Sequence, residues 1–274
     1  MKAPDLSVLR LDVDDAVATL WLDRPDARNA MNASFFEDLP AAFEAIGAAE
    51  SVRVVVLAAE GPVFCAGLDL KEMAPAVLGD REETTVRDRQ ALLERIRSMQ
   101  AALQRVARCP KPVIAAVHGP CIGGGVDLIT ACDIRLASAD ATFSVRETKL
   151  SMVADLGTLQ RLQRILPQGH VAELVYTGKD IDAARAARIG LVNDVHAGRE
   201  ALHEAARGLA QDIAANSPLA VQGAKQVLTQ SRDRSVEEGL EYVALWNAAF
   251  LQSHDLREAL HAYREGRPPS FRGE

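Results

Sequence analysis

Three carboxylic acids and two glycine-containing loops are the groups whose residue types and spacing could do chemistry. Glu147 follows Asp127 by twenty positions, and Asp155 follows eight positions later. Apolar surroundings raise the pKa of a carboxyl group and suit it to proton transfer near neutral pH. Backbone amides at a glycine-rich helix start can stabilise a developing negative charge. Together these groups predict proton transfer beside a stabilised enolate.

The two loops, residues 61–70 and 119–127, each follow a strand-length apolar run, at residues 52–57 and 112–117. Open α/β sheets bind ligands at such positions. Three consecutive glycines from Gly123 would let a ligand approach the backbone, although a tight turn without a ligand uses the same residues. Neither loop matches GxxxxGK(S/T) or GxGxxG, so the sequence does not predict nucleotide binding.

Two of the acids also have a purely structural interpretation. Asp155 could be the N-cap of a helix, and Glu147 could be a surface residue beside Arg146 and Lys149. His118, next to the second loop, is interpreted as a structural residue at the end of a strand. No group of histidines and acids has the spacing of a metal site, so no metal is predicted.

Alternating strands and helices must position these loops. Apolar alternation predicts a hairpin over residues 9–21, and Pro40 weakens the middle of the helix that follows. Up to about residue 150 the pattern is that of an α/β fold, whereas from residue 157 strands nearly vanish. The other predicted elements are helices at 35–46, 88–106 and 128–132 and strands at 52–57, 112–117, 134–137 and 142–145.

The helical C-terminal part carries an apolar stripe at helical spacing. A stripe of this kind packs into a core or forms an interface between subunits, and the sequence leaves both open. Its residues are Leu240, Val243, Trp246 and Phe250.

The composition excludes several classes of protein. With 38 acidic and 31 basic residues the formal charge is −7, and the bases are interleaved with acids, which disfavours nucleic-acid binding. No apolar run approaches the ~18 residues of a membrane span. The four cysteines show no CxxC spacing and are predicted to be buried thiols. Because residues 1–5 lack the features of a secretory signal or transit peptide, the sequence predicts a cytoplasmic protein.

Three segments resemble, in order and spacing, the signature segments of the crotonase (enoyl-CoA hydratase/isomerase) superfamily. The resemblance implies an α/β fold, a crotonase-like spiral of repeated ββα units, with a helical C-terminal region. It implies a spiral core over residues 1–200 and a helical region over residues 201–274, which covers the site and builds a homotrimer or homohexamer. The segments are residues 22–31, 64–70 and 122–125.

The resemblance also implies an acyl-CoA thioester as the ligand. CoA would be part of the substrate, with no separate cofactor and no nucleic-acid or membrane partner. The N–H groups of Ala66 and Gly124 would form an oxyanion hole on the thioester oxygen. The substrate would contact Ala66, Gly67, Leu68, Asp69, Leu70 and Gly124.

The acids narrow the reaction, because the superfamily hosts many. Its hydratases carry two glutamates at the positions of Asp127 and Glu147, and the first is shortened here. The three acids are similar to those of the dienoyl-CoA isomerases of this superfamily, which implies isomerisation of 3,5-dienoyl-CoA to 2,4-dienoyl-CoA in fatty-acid β-oxidation. Glu147 would remove the C2 proton and Asp155 would deliver a proton to C6, while Asp127 would orient Glu147.

Other functions stay open. A 2-enoyl-CoA hydratase would use Asp127 and Glu147 to hold a water molecule. From other classes, the chain could bind acyl-CoA as a scaffold without turnover, or bind nucleic acid, and the net charge of −7 disfavours the latter.

Overall fold

A six-stranded sheet forms the centre of the computed structural model, which describes residues 4–78 and 85–274. Its strand order is β1-β2-β3-β4-β6-β9; β1 and β2 are antiparallel and the other neighbours are parallel. Residues 1–3, part of the segment used to predict a cytoplasmic location, lie outside the described residues. The strands are β1 Leu9–Asp14, β2 Val17–Leu22, β3 Val54–Ala59, β4 Val113–Val117, β5 Pro120–Ile122, β6 Ile134–Ser138, β7 Thr142–Ser144, β8 Ile181–Asp182 and β9 Asp194–His196.

Helices cover both faces of this sheet and make up nearly all of the C-terminal part. None of the helices within the described ranges is both long and apolar enough to cross a lipid bilayer. The helices are α1 Ala33–Ala48, α2 Leu70–Leu78, α3 Val86–Ala107, α4 Gly124–Thr130, α5 Thr158–Leu162, α6 Gln168–Thr177, α7 Ala183–Ile189, α8 Arg199–Ala214, α9 Pro218–Ser231, α10 Val236–Phe250 and α11 His254–Glu265.

The sheet is apolar on both faces because its central strands are buried completely. In β3, Val55 and Leu57 belong to the larger core, which includes residues of α1 and α3. Their neighbour Val56 points to the opposite face, where it packs with Leu202 and Ala206 of α8. Such burial on both sides explains why this strand is a continuous apolar run rather than an alternating one.

A small second sheet positions the glycine-rich loop. Its strand order is β5-β7-β8, and β5 pairs with β7 in parallel. One isolated bridge joins Cys65 to Cys121, and another joins Met31 to Leu68. Because these bridges connect three segments distant in sequence, the two glycine-containing loops lie side by side.

Most predicted elements are present, with differences at particular residues. The hairpin and the long helix α3 are confirmed, and α1, predicted over residues 35–46, is continuous through Pro40. The structure adds α2 and β5, which the periodicity did not predict. His118 is buried and its Nε2 lies 2.8 Å from the Gly61 carbonyl oxygen, as expected of a structural histidine. All four cysteines are buried and free.

The apolar stripe predicted for the C-terminal helices is partly packed against another helix and partly exposed to solvent. Trp246 packs so closely on α9 that a Cβ on Gly223 would lie 2.5 Å from its Nε1. Other apolar side chains of α10 and α11 are exposed, Tyr263 to 86%. We call these the C-terminal apolar face, defined as Val236, Leu240, Leu245, Leu251, Leu260 and Tyr263.

Candidate functional site

A cavity of about 300 Å³ lies where the two loops meet α3 and the segment after β7. Asp127, Glu147 and Asp155 all line this cavity, although up to 28 positions separate them in sequence. The apolar part of the lining comes mainly from one face of α3 and from residues 150–156. The apolar residues are Met31, Leu68, Leu70, Leu92, Ile96, Met99, Ile122, Leu150, Met152, Val153 and Leu156.

One side of the cavity, residues 65–69 and 121–127, is built from backbone, and we call it the amide wall. The Ile122 N–H donates to the Cys65 carbonyl oxygen at 2.9 Å, and the Gly123 N–H donates to the Ser144 carbonyl oxygen at 2.9 Å. These bonds tie the first loop to β5 and the second loop to β7. The main chain of the amide wall is therefore fixed before any ligand binds.

Two N–H groups of the amide wall take no part in the hydrogen bonds that hold the wall together. The Gly67 carbonyl accepts from the Met31 N–H at 2.8 Å, so the Leu68 N–H of the same trans peptide points the opposite way. The Gly124 N–H lies at the start of α4, where helix N–H groups lack intrahelical acceptors. Neither N–H has an acceptor within residues 4–78 and 85–274. A Cβ on Gly124 would lie 3.7 Å from the Leu68 nitrogen, so the two amides are neighbours.

The predicted oxyanion donor Ala66 requires a correction. Its N–H donates to the Arg28 carbonyl oxygen at 3.1 Å and is not available to a ligand. Leu68, two positions later, provides the available amide instead. The sequence motif identifies the loop, whereas the bridge between Met31 and Leu68 decides which amide is free.

Glycine is required at two positions of the amide wall. Gly67 has a φ of +91°, and a Cβ there would lie 3.0 Å from the Ile122 carbonyl oxygen. Gly123 has a φ of +54°, and a Cβ there would lie 3.1 Å from Oε1 of Glu147. Larger residues would strain the backbone at both positions and would crowd the amides or the carboxylate.

Asp127 is buried at the start of α4. Its Oδ1 accepts the Thr158 N–H at 2.6 Å, which satisfies the first N–H of α5. Burial raises the pKa of Asp127 to about 7, the Thr158 hydrogen bonds oppose this, and the charge of Glu147 raises the pKa further. Asp127 therefore combines a structural contact with a carboxyl group that titrates near neutrality.

Glu147 begins a short 3-10 helix and is half-buried. Burial raises its pKa, and the charge of Asp155 raises it further. Its Oε2 is buried and has no hydrogen-bond partner in the part of the chain that the structure describes. The neighbouring Arg146 pairs with Asp180 instead. Glu147 is thus not the surface ion-pair partner that its basic neighbours suggested, and it offers a carboxylate oxygen free to accept a proton.

Asp155 lies in an exposed segment, residues 147–157, which we call the acid wall. Its side chain is exposed, yet partial burial against the cavity raises its pKa. Its carbonyl oxygen accepts a hydrogen bond from Gln100 Nε2 of α3 at 2.6 Å. Asp155 is not an N-cap, because α5 begins after Gly157 and that cap makes no side-chain hydrogen bond.

Among the predicted substrate contacts, Asp69 does not line the cavity. Its carboxylate accepts from Arg24 at 2.6 Å and from the amides of Lys71 and Glu72 at the start of α2, and the Arg24 hydrogen bond lowers its pKa. The other five predicted contacts do line it. Sequence reasoning missed the lining residues of α3, because their periodicity is also that of an ordinary core helix.

Comparisons with known proteins point to one family. Residues 12–274 match the family model described as enoyl-CoA hydratase/isomerase. The chain is 47% identical to the mitochondrial Delta(3,5)-Delta(2,4)-dienoyl-CoA isomerase of Dictyostelium discoideum, over 99% of this chain and 94% of that protein. It is 43% identical to the peroxisomal enzyme of the same name from Arabidopsis thaliana, over 97% and 96% of the two chains. The crystal structure of enoyl-CoA hydratase from Bacillus anthracis superposes with a TM-score of 0.89 at 33% identity, covering 98% of this chain and 100% of that chain.

The comparisons correct one prediction. The two relatives are named as mitochondrial and peroxisomal proteins. The cytoplasmic location predicted from the N-terminal residues conflicts with both names and is wrong.

Proposed function

Because the chain belongs to the enoyl-CoA hydratase/isomerase family, we propose that it converts 3,5-dienoyl-CoA to 2,4-dienoyl-CoA in fatty-acid β-oxidation. The observation that carries the proposal is the convergence of Asp127, Glu147 and Asp155 on one apolar cavity beside two free amides. Moving two conjugated double bonds requires one proton to leave and another to arrive four bonds away. A site with several carboxyl groups of raised pKa suits that requirement.

The thioester oxygen binds to the N–H groups of Leu68 and Gly124. These donors act as an oxyanion hole, since the oxygen becomes negative when the enolate forms. The position of Gly124 at the start of α4 adds the positive end of the helix dipole. The chain supplies this stabilisation itself, so the reaction needs no cofactor, and CoA takes part only as a portion of the substrate.

Glu147 removes the proton from C2. The C2–H bond breaks, and its electron pair delocalises through the two double bonds to C6. Asp155 donates a proton there, the C6–H bond forms, and the double bonds remain at C2 and C4. Glu147 is then protonated and Asp155 ionised, and exchange with solvent restores both. Two acids are needed because one carboxyl group cannot reach both carbons without moving.

Asp127 acts on Glu147 rather than on the substrate. Its burial and its hydrogen bond with Thr158 fix its position, and the charge of Glu147 raises its pKa. With a pKa of about 7, Asp127 is largely protonated at slightly acidic pH. Glu147 can then ionise without a second charge next to it.

The test is turnover of 3,5-octadienoyl-CoA, followed by the ultraviolet absorbance of the 2,4-dienoyl product. Asp155→Asn keeps the size of the side chain and removes its acid function, so product formation should fall by about 10²-fold or more. In D₂O the variant should still incorporate deuterium at C2, because Glu147 is intact. Absence of turnover in the wild-type protein would overturn the proposal.

The second candidate is a 2-enoyl-CoA hydratase, which the similarity to the Bacillus anthracis enzyme favours. In that case Asp127 and Glu147 hold water and Asp155 is incidental. Hydration of crotonyl-CoA separates the two functions. Fast hydration that Asp155→Asn leaves unchanged, with no dienoyl isomerisation, would establish the hydratase.

We also propose that residues 201–274 mediate assembly into a homotrimer or homohexamer. The support is the C-terminal apolar face, since exposed apolar patches of this kind mark interfaces. Light scattering should give three or six times the 29.5 kDa of one chain. The double substitution Leu260→Glu and Tyr263→Glu should lower that mass, whereas a wild-type mass of 29.5 kDa would exclude the assembly.

A further inference from the structure

A groove of about 910 Å³ lies on the other side of Asp155 and Leu156 from the catalytic cavity. Its walls are one face of α3, the start of α5 and the end of α9. Asp155 and Leu156 line both spaces, so they form the partition between them. The groove is rich in arginine, with Arg97, Arg105, Arg108, Arg161, Arg164 and Arg232 on its lining.

The charges of this groove are unbalanced. Six arginines face two carboxylates, Asp155 and Asp233. Of the six, only Arg164 forms an ion pair with a described residue, and its partner is Asp233. Arg161 Nη2 is buried and has no hydrogen-bond partner in the described ranges. Clustered guanidinium groups without carboxylates repel one another and favour an anionic ligand.

Three of the arginines are arranged along one helix. Arg97 and Arg105 lie on α3 and Arg108 is its C-cap, and the spacings of eight and three residues place them on one face. From Arg97 to Arg108 the helix rises roughly 16 Å. Gln100, which contacts Asp155, lies within one turn of Arg97. The row of charges therefore begins near the partition and runs away from it.

The proposed reaction fixes which part of a substrate meets this groove. With C1 at the amide wall and C6 at Asp155, the carbons beyond C6 begin next to a residue that also lines the groove. A methyl-terminated chain gains little from a polar basic groove, whereas a carboxylate gains charge-assisted, often bidentate hydrogen bonds with arginine. We propose that the arginine groove binds the far end of the acyl chain and selects dienoyl-CoA substrates that end in a carboxylate. This inference rests on the proposed function.

The experiment compares 3,5-decadienoyl-CoA with the mono-CoA thioester of 3,5-decadienedioic acid, which differs by its terminal carboxylate. The wild-type kcat/KM should be at least fivefold higher for the dioic substrate, and added salt should reduce the difference. The double variant Arg97→Gln and Arg105→Gln should bring the ratio of the two kcat/KM values close to one. Arg188→Gln on α7, an exposed arginine that lines neither space, should leave the ratio unchanged.

Two outcomes would overturn the inference: equal kcat/KM values in the wild-type protein, or a preference that survives in the double variant. Failure of the proposed function is distinguishable, because neither substrate would then be converted. In that case calorimetry with the saturated decanedioyl mono-CoA and decanoyl-CoA still tests the groove. Tighter binding of the dioic thioester, lost in the double variant, would support the inference, and equal binding would reject it.

Discussion

The amide wall and the acid wall enclose the same cavity but are built in opposite ways. The amide wall is held by backbone hydrogen bonds to β5 and β7 and to Met31, and most of its residues are buried. The acid wall is a short 3-10 helix and an extended segment with exposed apolar residues, Val153 to 74%. Its connection to α3 includes one side-chain hydrogen bond, from Gln100 to Asp155.

The difference shows that one wall binds the thioester oxygen and the other determines the type of reaction. Backbone amides bind any thioester oxygen, whatever the acyl chain carries. The acid wall supplies side chains, and a change of one side chain there changes where protons are removed and delivered. The rigid wall therefore provides the stabilisation common to enolate chemistry, and the exposed wall determines which isomerisation or addition follows.

Glu147→Gln should have the largest effect, because it removes the base from the acid wall while preserving its size. The kcat for 3,5-octadienoyl-CoA should fall by about 10⁴-fold, at the upper end of what general base catalysis contributes. Deuterium incorporation at C2 should disappear as well. Glu200→Gln, an exposed residue in the first turn of α8, is the control. A loss below tenfold would mean that another group removes the C2 proton.

Asp127→Asn should change the pH dependence of stability. The folded-state pKa is about 7 and the ordinary value is 3.8, so the folded state holds an extra proton between these values. The stabilisation is present below about pH 4 and is lost as pH rises to about 7, by roughly 4 kcal/mol in the free energy of unfolding. Asparagine can still accept the Thr158 N–H and does not titrate.

The measurement is chemical denaturation of the wild type and Asp127→Asn at several pH values. The free energy of unfolding of the variant minus that of the wild type should increase as pH rises from about 4 to 7, because only the wild type loses stability over this range. Titrating groups that do not interact with Asp127 are common to both proteins and cancel in the difference. A difference independent of pH would show that Asp127 titrates near its ordinary pKa when folded.

Gly67→Ala should break the amide wall without touching an acid. The residue has a φ of +91° and a new Cβ would lie 3.0 Å from the Ile122 carbonyl oxygen, so the peptide that carries the Leu68 N–H must rotate. Loss of one oxyanion donor should lower kcat by about 10²-fold. The pH profile should keep its shape, because the acids remain. A variant with full activity would show that the Leu68 amide does not bind the thioester.

The sequence predicts where the amide wall lies but not which of its amides is free to bind a ligand. The spacing of the glycines located the amide wall, but it could not show that Ala66 donates to Arg28 while the amide of Leu68 stays free. That depends on a bridge between residues 37 positions apart, Met31 and Leu68. The same limit applies to β5, because three residues between glycines show no alternation. Long elements such as α3 have several turns of periodicity and were predicted nearly to their ends.

For the three acids, the residue types could be predicted and their environments could not. Asp127 is buried, Glu147 is half-buried and Asp155 is exposed because of contacts with residues distant in sequence, such as Thr158 and Gln100. The arginine groove was missed for the same reason. Its six arginines are spread over residues 97–232, among acids that the fold directs elsewhere.

Gln100→Met should have the smallest effect and should sharpen the comparison. Methionine keeps the length and helix propensity of glutamine but donates no hydrogen bond to the Asp155 carbonyl oxygen. An exposed hydrogen bond contributes about 1 kcal/mol, so kcat for isomerisation should fall about fivefold. Since the amide wall is untouched, deuterium incorporation at C2 should keep its rate, and only proton delivery at C6 should slow.

The matched control is Gln104→Met, one turn further along α3, whose side chain forms no hydrogen bond with a described residue. If both variants lose activity equally, the effect belongs to the helix and not to the acid wall. If Gln100→Met slows exchange at C2 as much as product formation, the two walls move together. The exposed position of Asp155 on the acid wall would then not separate proton delivery at C6 from proton removal at C2.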